Sequence, residues 1–240
     1  MSLPGAPDGD ARLAPAGVPF TYEVVGARGG QGTTTVALVL ALAAAERAPT
    51  VLAATRPGDA AALAGVPEGQ SSPQLAPGLT LVGRGGAAAW PGMVRVEDFG
   101  RLSDLDLPAP PGSATTRRWL VVRGPCYLSL KAAVDAPWRP DAVVVLAEPG
   151  RCLGADDVEA VLGAEVSVQV PVDAEVARIL DAGLLPARLQ RVGALRALVG
   201  AVHADLAALA PDLAGPPARR DAVPDHPRPP VHGGRSPRRR

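Results

Sequence analysis

The stretch VVGARGGQGTTTVALVLALAAA, residues 24–45, opens as an apolar strand, breaks at glycines and resumes as an apolar helix. That outline is a phosphate-binding loop set between a strand and a helix. Gly29, Gly30 and Gly32 carry no Cβ, so the backbone can take positive φ and turn its N–H groups toward an anion. A helix starting near Thr33 adds its dipole and its unpaired first-turn donors. The position after Gly32, where such a loop places a lysine, holds Thr33. Thr34 then stands where a Mg²⁺-binding hydroxyl belongs.

Outward from the loop, the pattern alternates. FTYEVVG (20–26) reads as a buried strand, TTTVALVLALAAAERA as a helix and TVLAAT (50–55) as a second strand. Further short apolar runs, each ended by Gly or Pro, predict strands at LTLVG (79–83), MVRVEDFG (93–100), RWLVVRG (118–124), DAVVVLAEPG (141–150) and AEVSVQVP (164–171). Helices fit YLSLKAAVD, GADDVEAVLG, VDAEVARILDAG and ARLQRVGALRALVGAVHADLAALA. In the last, Leu189, Val192, Leu195, Leu198, Val199, Val202 and Leu206 form one apolar stripe, read as core and not as a membrane-binding face. Strands alternating with helices predict an α/β fold of three layers: a mainly parallel central sheet flanked by helices. Ligands of such sheets sit at the carboxyl ends of the strands, where the glycine loop lies.

A Mg²⁺ ion on a nucleotide also needs a ligand from beyond the phosphates, usually an acid ending a neighbouring apolar strand. VRVEDFG offers Asp98, with Gly100 two residues on, where an N–H can reach a γ-phosphate. Lys131, the only lysine of the chain, fits a solvent-facing helix position in YLSLKAAV.

The composition agrees with this architecture. The chain has 240 residues, is 47% hydrophobic and only 3% aromatic, so its core is built of Ala, Val and Leu, which suits helices on a sheet and suits a sandwich poorly. Cys126 and Cys152 lie in no metal-ligand spacing and are expected to be buried, reduced thiols without chemistry. No transmembrane run and no signal segment is evident, so a cytoplasmic location is expected. Residues 1–18 and 211–240 are rich in Pro and Gly and are expected to flank residues 19–210 as flexible ends. Residues 218–240 hold seven Arg against two Asp, about +5, which leaves about −5 on the remainder of a neutral chain. This tail fits contact with DNA, anionic lipid or an acidic partner, and fits equally a solvated tail with no partner.

The order of RGGQGTTTVALVLA, TVLAAT, VEDFG, WLVVRGPCYLSLKAAV and VSVQVPVDAEVARILDAG resembles the ParA/MinD group of P-loop ATPases, over roughly residues 20–205. The lysine-free loop is similar, more narrowly, to CpaE/TadZ-type relatives associated with pilus assembly and polar localisation. The resemblance implies the P-loop NTPase fold, ATP with Mg²⁺ as cofactors, a nucleotide-dependent homodimer and a protein partner in a localisation or pilus/secretion system. It places Arg28 at the group's signature lysine, which reaches the partner subunit's phosphates. Gly29, Gly30, Gln31, Gly32, Thr33, Thr34 and Thr35 fall in the nucleotide loop, with Gly100 beside it and Thr34 and Asp98 on the metal. Pro171, Asp173 and Gly183 match the group's closing turn and helix.

The departures from the group concern chemistry. Thr33 removes the ammonium that neutralises the β- and γ-phosphates. Thr55 and Arg56 stand where the group carries an acid that orients water, and VVLAEPG has no base-contacting asparagine. Loss of a charged phosphate contact costs about 1.5 to 3 kcal/mol, roughly ten- to a hundredfold in affinity. Hydrolysis suffers more, since the transition state needs both missing groups. Two functions follow: an ATP-binding switch with weak or no hydrolysis, or a pseudo-ATPase scaffold acting through protein contacts and its basic tail.

Overall fold

The computed structural model describes residues 20–67, 69–70, 72–86, 92–105 and 115–211. The expectations for residues 1–18 and for the Arg-rich tail therefore lie outside the described residues, except for Pro211.

Eight strands form one sheet. In chain order they are β1 (Phe20–Gly26), β2 (Thr50–Ala54), β3 (Gln74–Ala76), β4 (Leu79–Gly83), β5 (Val94–Arg101), β6 (Thr116–Arg123), β7 (Ala142–Ala147) and β8 (Val166–Pro171). Their spatial order is β3-β4-β2-β5-β1-β6-β7-β8, and every pairing is parallel except β3 with β4. Central strands such as AVVVLA read as unbroken apolar runs because helices cover both faces. The three-residue β3 closes one edge and was not expected from the sequence.

Helix α1 (Thr33–Ala45) is apolar on all sides, and ten of its thirteen residues are buried, which marks it as a helix enclosed by the protein. It shares one core with Tyr22 and Val24 of β1, with α2 (Pro57–Leu63) and with α7 (Arg196–Leu209). The helix α5 (Ala174–Asp181) and the short α6 (Leu185–Arg188) join the same side. On the opposite face α3 (Tyr127–Asp135) and α4 (Ala155–Leu162) pack over Val25, Leu120, Val122, Val143 and Val145.

The long helix expected over residues 187–210 is broken. Val192 is extended (φ −85°, ψ 99°), and the segments on either side of it meet at 83°. The apolar stripe survives the break, because Leu189, Val192, Leu195, Leu198, Val199, Val202 and Leu206 are all buried. No single helix among the described residues is long and apolar enough to cross a membrane. Both cysteines are free, but the expectation that both are buried is corrected. Cys152 is exposed in the turn after β7, and Cys126 is half-buried at the start of α3.

Candidate phosphate site at the carboxyl edge of the sheet

The loop between β1 and α1 lies at the carboxyl edge of the sheet. Gly30 (φ 74°) and Gly32 (φ 79°) are both left-handed, and Gly32 is the N-cap of α1. A glycine cap offers no side chain and the first turn holds no acid, so the first N–H groups of α1 remain available to a ligand. Arg28, Gly29 and Gly30 are exposed, and a Cβ on Gly30 would meet nothing within 4 Å, so the cradle opens to solvent.

The three threonines that follow point to three different places. Helical Cα–Cβ bonds tilt toward the N-terminus, so Thr33 folds back over the end of β1. Its hydroxyl fills the space that a Cβ on Gly26 would occupy, and the residue is only 7% exposed. Thr34 hydrogen-bonds the Asp98 carboxylate. Thr35 lines an apolar cavity on the far side of the helix.

Asp98 is 1% exposed. It lies inside β5 opposite Val24 and does not end the strand, which runs on to Arg101. Burial pushes its carboxyl above the usual carboxylate range, and the bonds from the Thr34 hydroxyl and the Gly100 N–H oppose that shift. The Gly100 N–H donates to Asp98 Oδ1 at 3.0 Å, so the group expected to face a γ-phosphate is committed to the carboxylate instead. Thr55 is tied to the same residue, its hydroxyl and its N–H donating to the Asp98 carbonyl at 2.7 and 3.0 Å. Asp59, in the first turn of α2, was not singled out in the sequence, yet its charge also raises the Asp98 carboxyl.

Gln31 faces sideways. Its carbonyl oxygen accepts from the Arg123 N–H at 2.6 Å and fastens the loop to the end of β6. Arg123 Nε donates to Glu148 Oε1 at 2.8 Å, and Arg151 binds the other oxygen of the same carboxylate. These three residues were missed; the signal was a pair of opposite charges at the ends of two adjacent strands, VVRGP and LAEPGR.

Two depressions flank the loop. A cavity of about 160 Å³ is bordered by Gly32, Thr35, Arg123, Leu146, Pro171 and Asp173, and is mostly apolar. A wider polar cleft of about 820 Å³ is lined by Arg28, Gly29, Gln31, Arg101, Ser103 and Cys126. The closing turn is formed as expected: the Asp173 side chain caps α5 by accepting from the Glu175 N–H at 2.6 Å, and Gly183 follows that helix with φ 63°. Lys131 is exposed and paired with Asp135 at 2.7 Å, away from the loop. Among the described residues no group of three or more His, Cys, Asp or Glu side chains could hold a metal ion.

No family model and no curated protein matches this chain. Among solved structures it is similar to a ParA family ATPase from Chlorobium tepidum TLS, with 15% identity, TM-score 0.56, and 77% of this chain and 99% of that one covered. It is similar to MinD of Aquifex aeolicus in a MinC:MinD complex, with 14% identity, TM-score 0.58, and 78% and 96% covered. MinD of Pyrococcus horikoshii OT3, complexed with Mg-ADP, matches at 12% identity and TM-score 0.57, with 78% and 96% covered. The sheet order, the glycine loop after β1 and these likenesses together show that the chain has the P-loop NTPase fold of ParA and MinD ATPases.

Proposed function

We propose that this protein is a nucleotide-binding switch of the ParA/MinD kind that holds ATP with Mg²⁺ and hydrolyses it weakly or not at all. The observation that carries the reading is the Thr34–Asp98 pair, a hydroxyl bonded to a buried carboxylate directly behind an open glycine cradle. A buried, desolvated carboxylate is costly unless its site gains a cation. The residues present fit Mg²⁺ and a polyphosphate: loop N–H groups and the N-terminus of α1 on the phosphates, Thr34 and Asp98 on the metal. The apolar cavity beside Gly32 and Thr35 suits the flat base. Bound ATP supplies a γ-phosphate whose presence or absence distinguishes two states of the chain.

The same site argues against fast turnover. Thr33 is buried against Gly26 and presents no ammonium to the phosphates. Thr55 is held by the Asp98 backbone, and neither it nor Arg56 can act as a base toward water. Arg28 is exposed on the rim of the polar cleft, and this exposure supports a nucleotide-dependent homodimer in which it contacts a second copy of the chain. The CpaE/TadZ-like loop favours a role in positioning a protein partner in the cytoplasm.

A pseudo-ATPase scaffold is the second reading, favoured by the Gly100 N–H and the Thr33 hydroxyl, both turned inward. Titration with a fluorescent ATP analogue, with and without Mg²⁺, separates the two. The switch predicts saturable, Mg²⁺-dependent binding that is lost in Asp98→Ala and Thr34→Ala. Absence of saturable binding at millimolar nucleotide leaves the scaffold.

A further inference from the structure

A polyphosphate in this cradle lacks the cation that the loop lysine ordinarily provides, since Thr33 is turned away. Another cation lies beside the loop at the carboxyl edge. Arg123 ends β6, next to β1 in the sheet, and its own N–H is bonded to Gln31 in the loop at 2.6 Å. It borders the same cavity as Gly32 and Thr35. Its side chain is 43% exposed, and its one hydrogen bond among the described residues is from Nε to Glu148 Oε1. Its two terminal nitrogens have none, which leaves the planar fork that suits phosphate free at the mouth of the site.

We infer that Arg123 supplies the cation missing from the loop, held beside the cradle by Glu148 until a polyphosphate draws it in. This inference rests on the nucleotide-binding reading of the same site.

The surroundings of Glu148 suit such a transfer. Arg151 donates to Glu148 Oε2 through both Nε and Nη2, so the carboxylate keeps a cationic partner when Arg123 leaves it. The two guanidiniums, Arg151 foremost, hold its carboxyl below the usual range, so it stays ionised near neutral pH. Gly124, at φ 48°, makes the room: a Cβ there would run into the Glu148 carboxylate and lie 2.7 Å from Arg151 Nε. The sequence thus places a carboxylate over a glycine backbone to park one arginine while a second keeps the carboxylate paired.

Arg101 is the competing cation. It lies beside Gly29 on the other flank, where its Nε is bonded to Asp104 at 2.8 Å. It borders the polar cleft and not the cavity at the start of α1. That geometry sets Arg101 on the Gly29 side of the loop and Arg123 on the Gly32 side, where the N–H groups of α1 begin.

The test is a competition titration on the full chain, with a fluorescent ATP analogue displaced by ATP, ADP and adenosine. Arg123→Ala is expected to weaken ATP and ADP by roughly tenfold or more and adenosine by less than about threefold. Arg123→Lys recovers part of the loss, because it keeps the charge without the fork. Glu148→Gln releases Arg123 and tightens ATP a few-fold while leaving adenosine alone. Should Arg123→Ala not fold, the Lys and Glu148 variants still decide the matter.

Wild-type ATP affinity in Arg123→Ala overturns the inference, as does an equal loss for adenosine, a loss seen in Arg101→Ala in its place, or weaker ATP binding in Glu148→Gln. A wild-type chain that binds no nucleotide overturns the underlying reading, whereas wild-type binding indifferent to Arg123 overturns only the role of this arginine.

Discussion

Thr33 turns its hydroxyl into the space above Gly26, so the residue at the lysine position of the loop packs into the end of β1 and does not point at the cradle. Gly26 is a glycine for this reason, since any larger residue would displace the threonine. The charge of the site has moved to arginines around the loop, Arg28 on its rim, Arg123 at the end of β6 and Arg101 beside Gly29.

Thr33→Lys should therefore restore affinity without restoring catalysis. A lysine at the first position of α1 is too long for the space over Gly26 and must extend into the cradle. ATP binding is expected to tighten by roughly ten- to a hundredfold, the value of one charged phosphate contact. Turnover should stay near background, because Thr55 and Arg56 still offer no base. Calorimetric titration and a phosphate-release assay read the two effects separately.

Gly30 and Gly32 share a left-handed backbone but differ in their surroundings. A Cβ on Gly30 meets open space, while one on Gly32 comes within 2.9 Å of Leu146 Cδ1. Gly30→Ala should cost about 1 kcal/mol of stability, the strain of a left-handed alanine. Gly32→Ala should cost about 2 to 3 kcal/mol, since Leu146 must also shift. Chemical denaturation of the two variants checks the ordering.

Asp205 of α7 provides a pH test of the core. Its Oδ2 pairs with Arg117 Nε at 3.5 Å, too far for a good hydrogen bond, and both buried atoms lack a hydrogen-bond partner among the described residues. Burial raises its carboxyl above the ordinary value more than Arg117 lowers it. A raised acid binds its proton more tightly folded than unfolded, so stability at this site is greatest in acid and is lost as pH rises through the folded value. Relative to Asp205→Asn, the wild type should lose melting temperature as pH rises above about 4, the reverse of the usual carboxylate pattern. A constant difference across that range would show that Asp205 is as well solvated folded as unfolded.

Most of the sheet was legible because its strands are covered on both faces. TVLAA is buried throughout and AVVVLA over its first four residues, which leaves unbroken apolar signals ended by Gly or Pro. The glycine loop was legible for a similar reason, as positive φ at Gly30 and Gly32 leaves few other residues possible. The break at Val192 was hidden because the residues on both sides keep the three-and-four spacing of one buried stripe. β3 is too short to show alternation, and its register shifts against β4.

The site itself was legible only along the chain. Thr34 and Asp98 could be singled out because each sits in a recognisable local pattern. The Arg123–Glu148 pair joins residues 25 positions apart at the ends of neighbouring strands, so only the sheet brings them together. The direction of each threonine likewise depends on what lies beside α1: Gly26, Asp98 and the cavity at Leu146.

In the proposed switch, the Thr34–Asp98 pair and the glycine cradle hold Mg·ATP in a chain without a loop lysine. Equilibrium titration of the full chain with a fluorescent ATP analogue, repeated with excess EDTA and with Asp98→Ala, tests it most directly. The expected result is saturable binding that needs Mg²⁺ and falls by roughly tenfold or more in the variant. Binding that is absent up to millimolar nucleotide, or that is indifferent to both Mg²⁺ and Asp98, would contradict it.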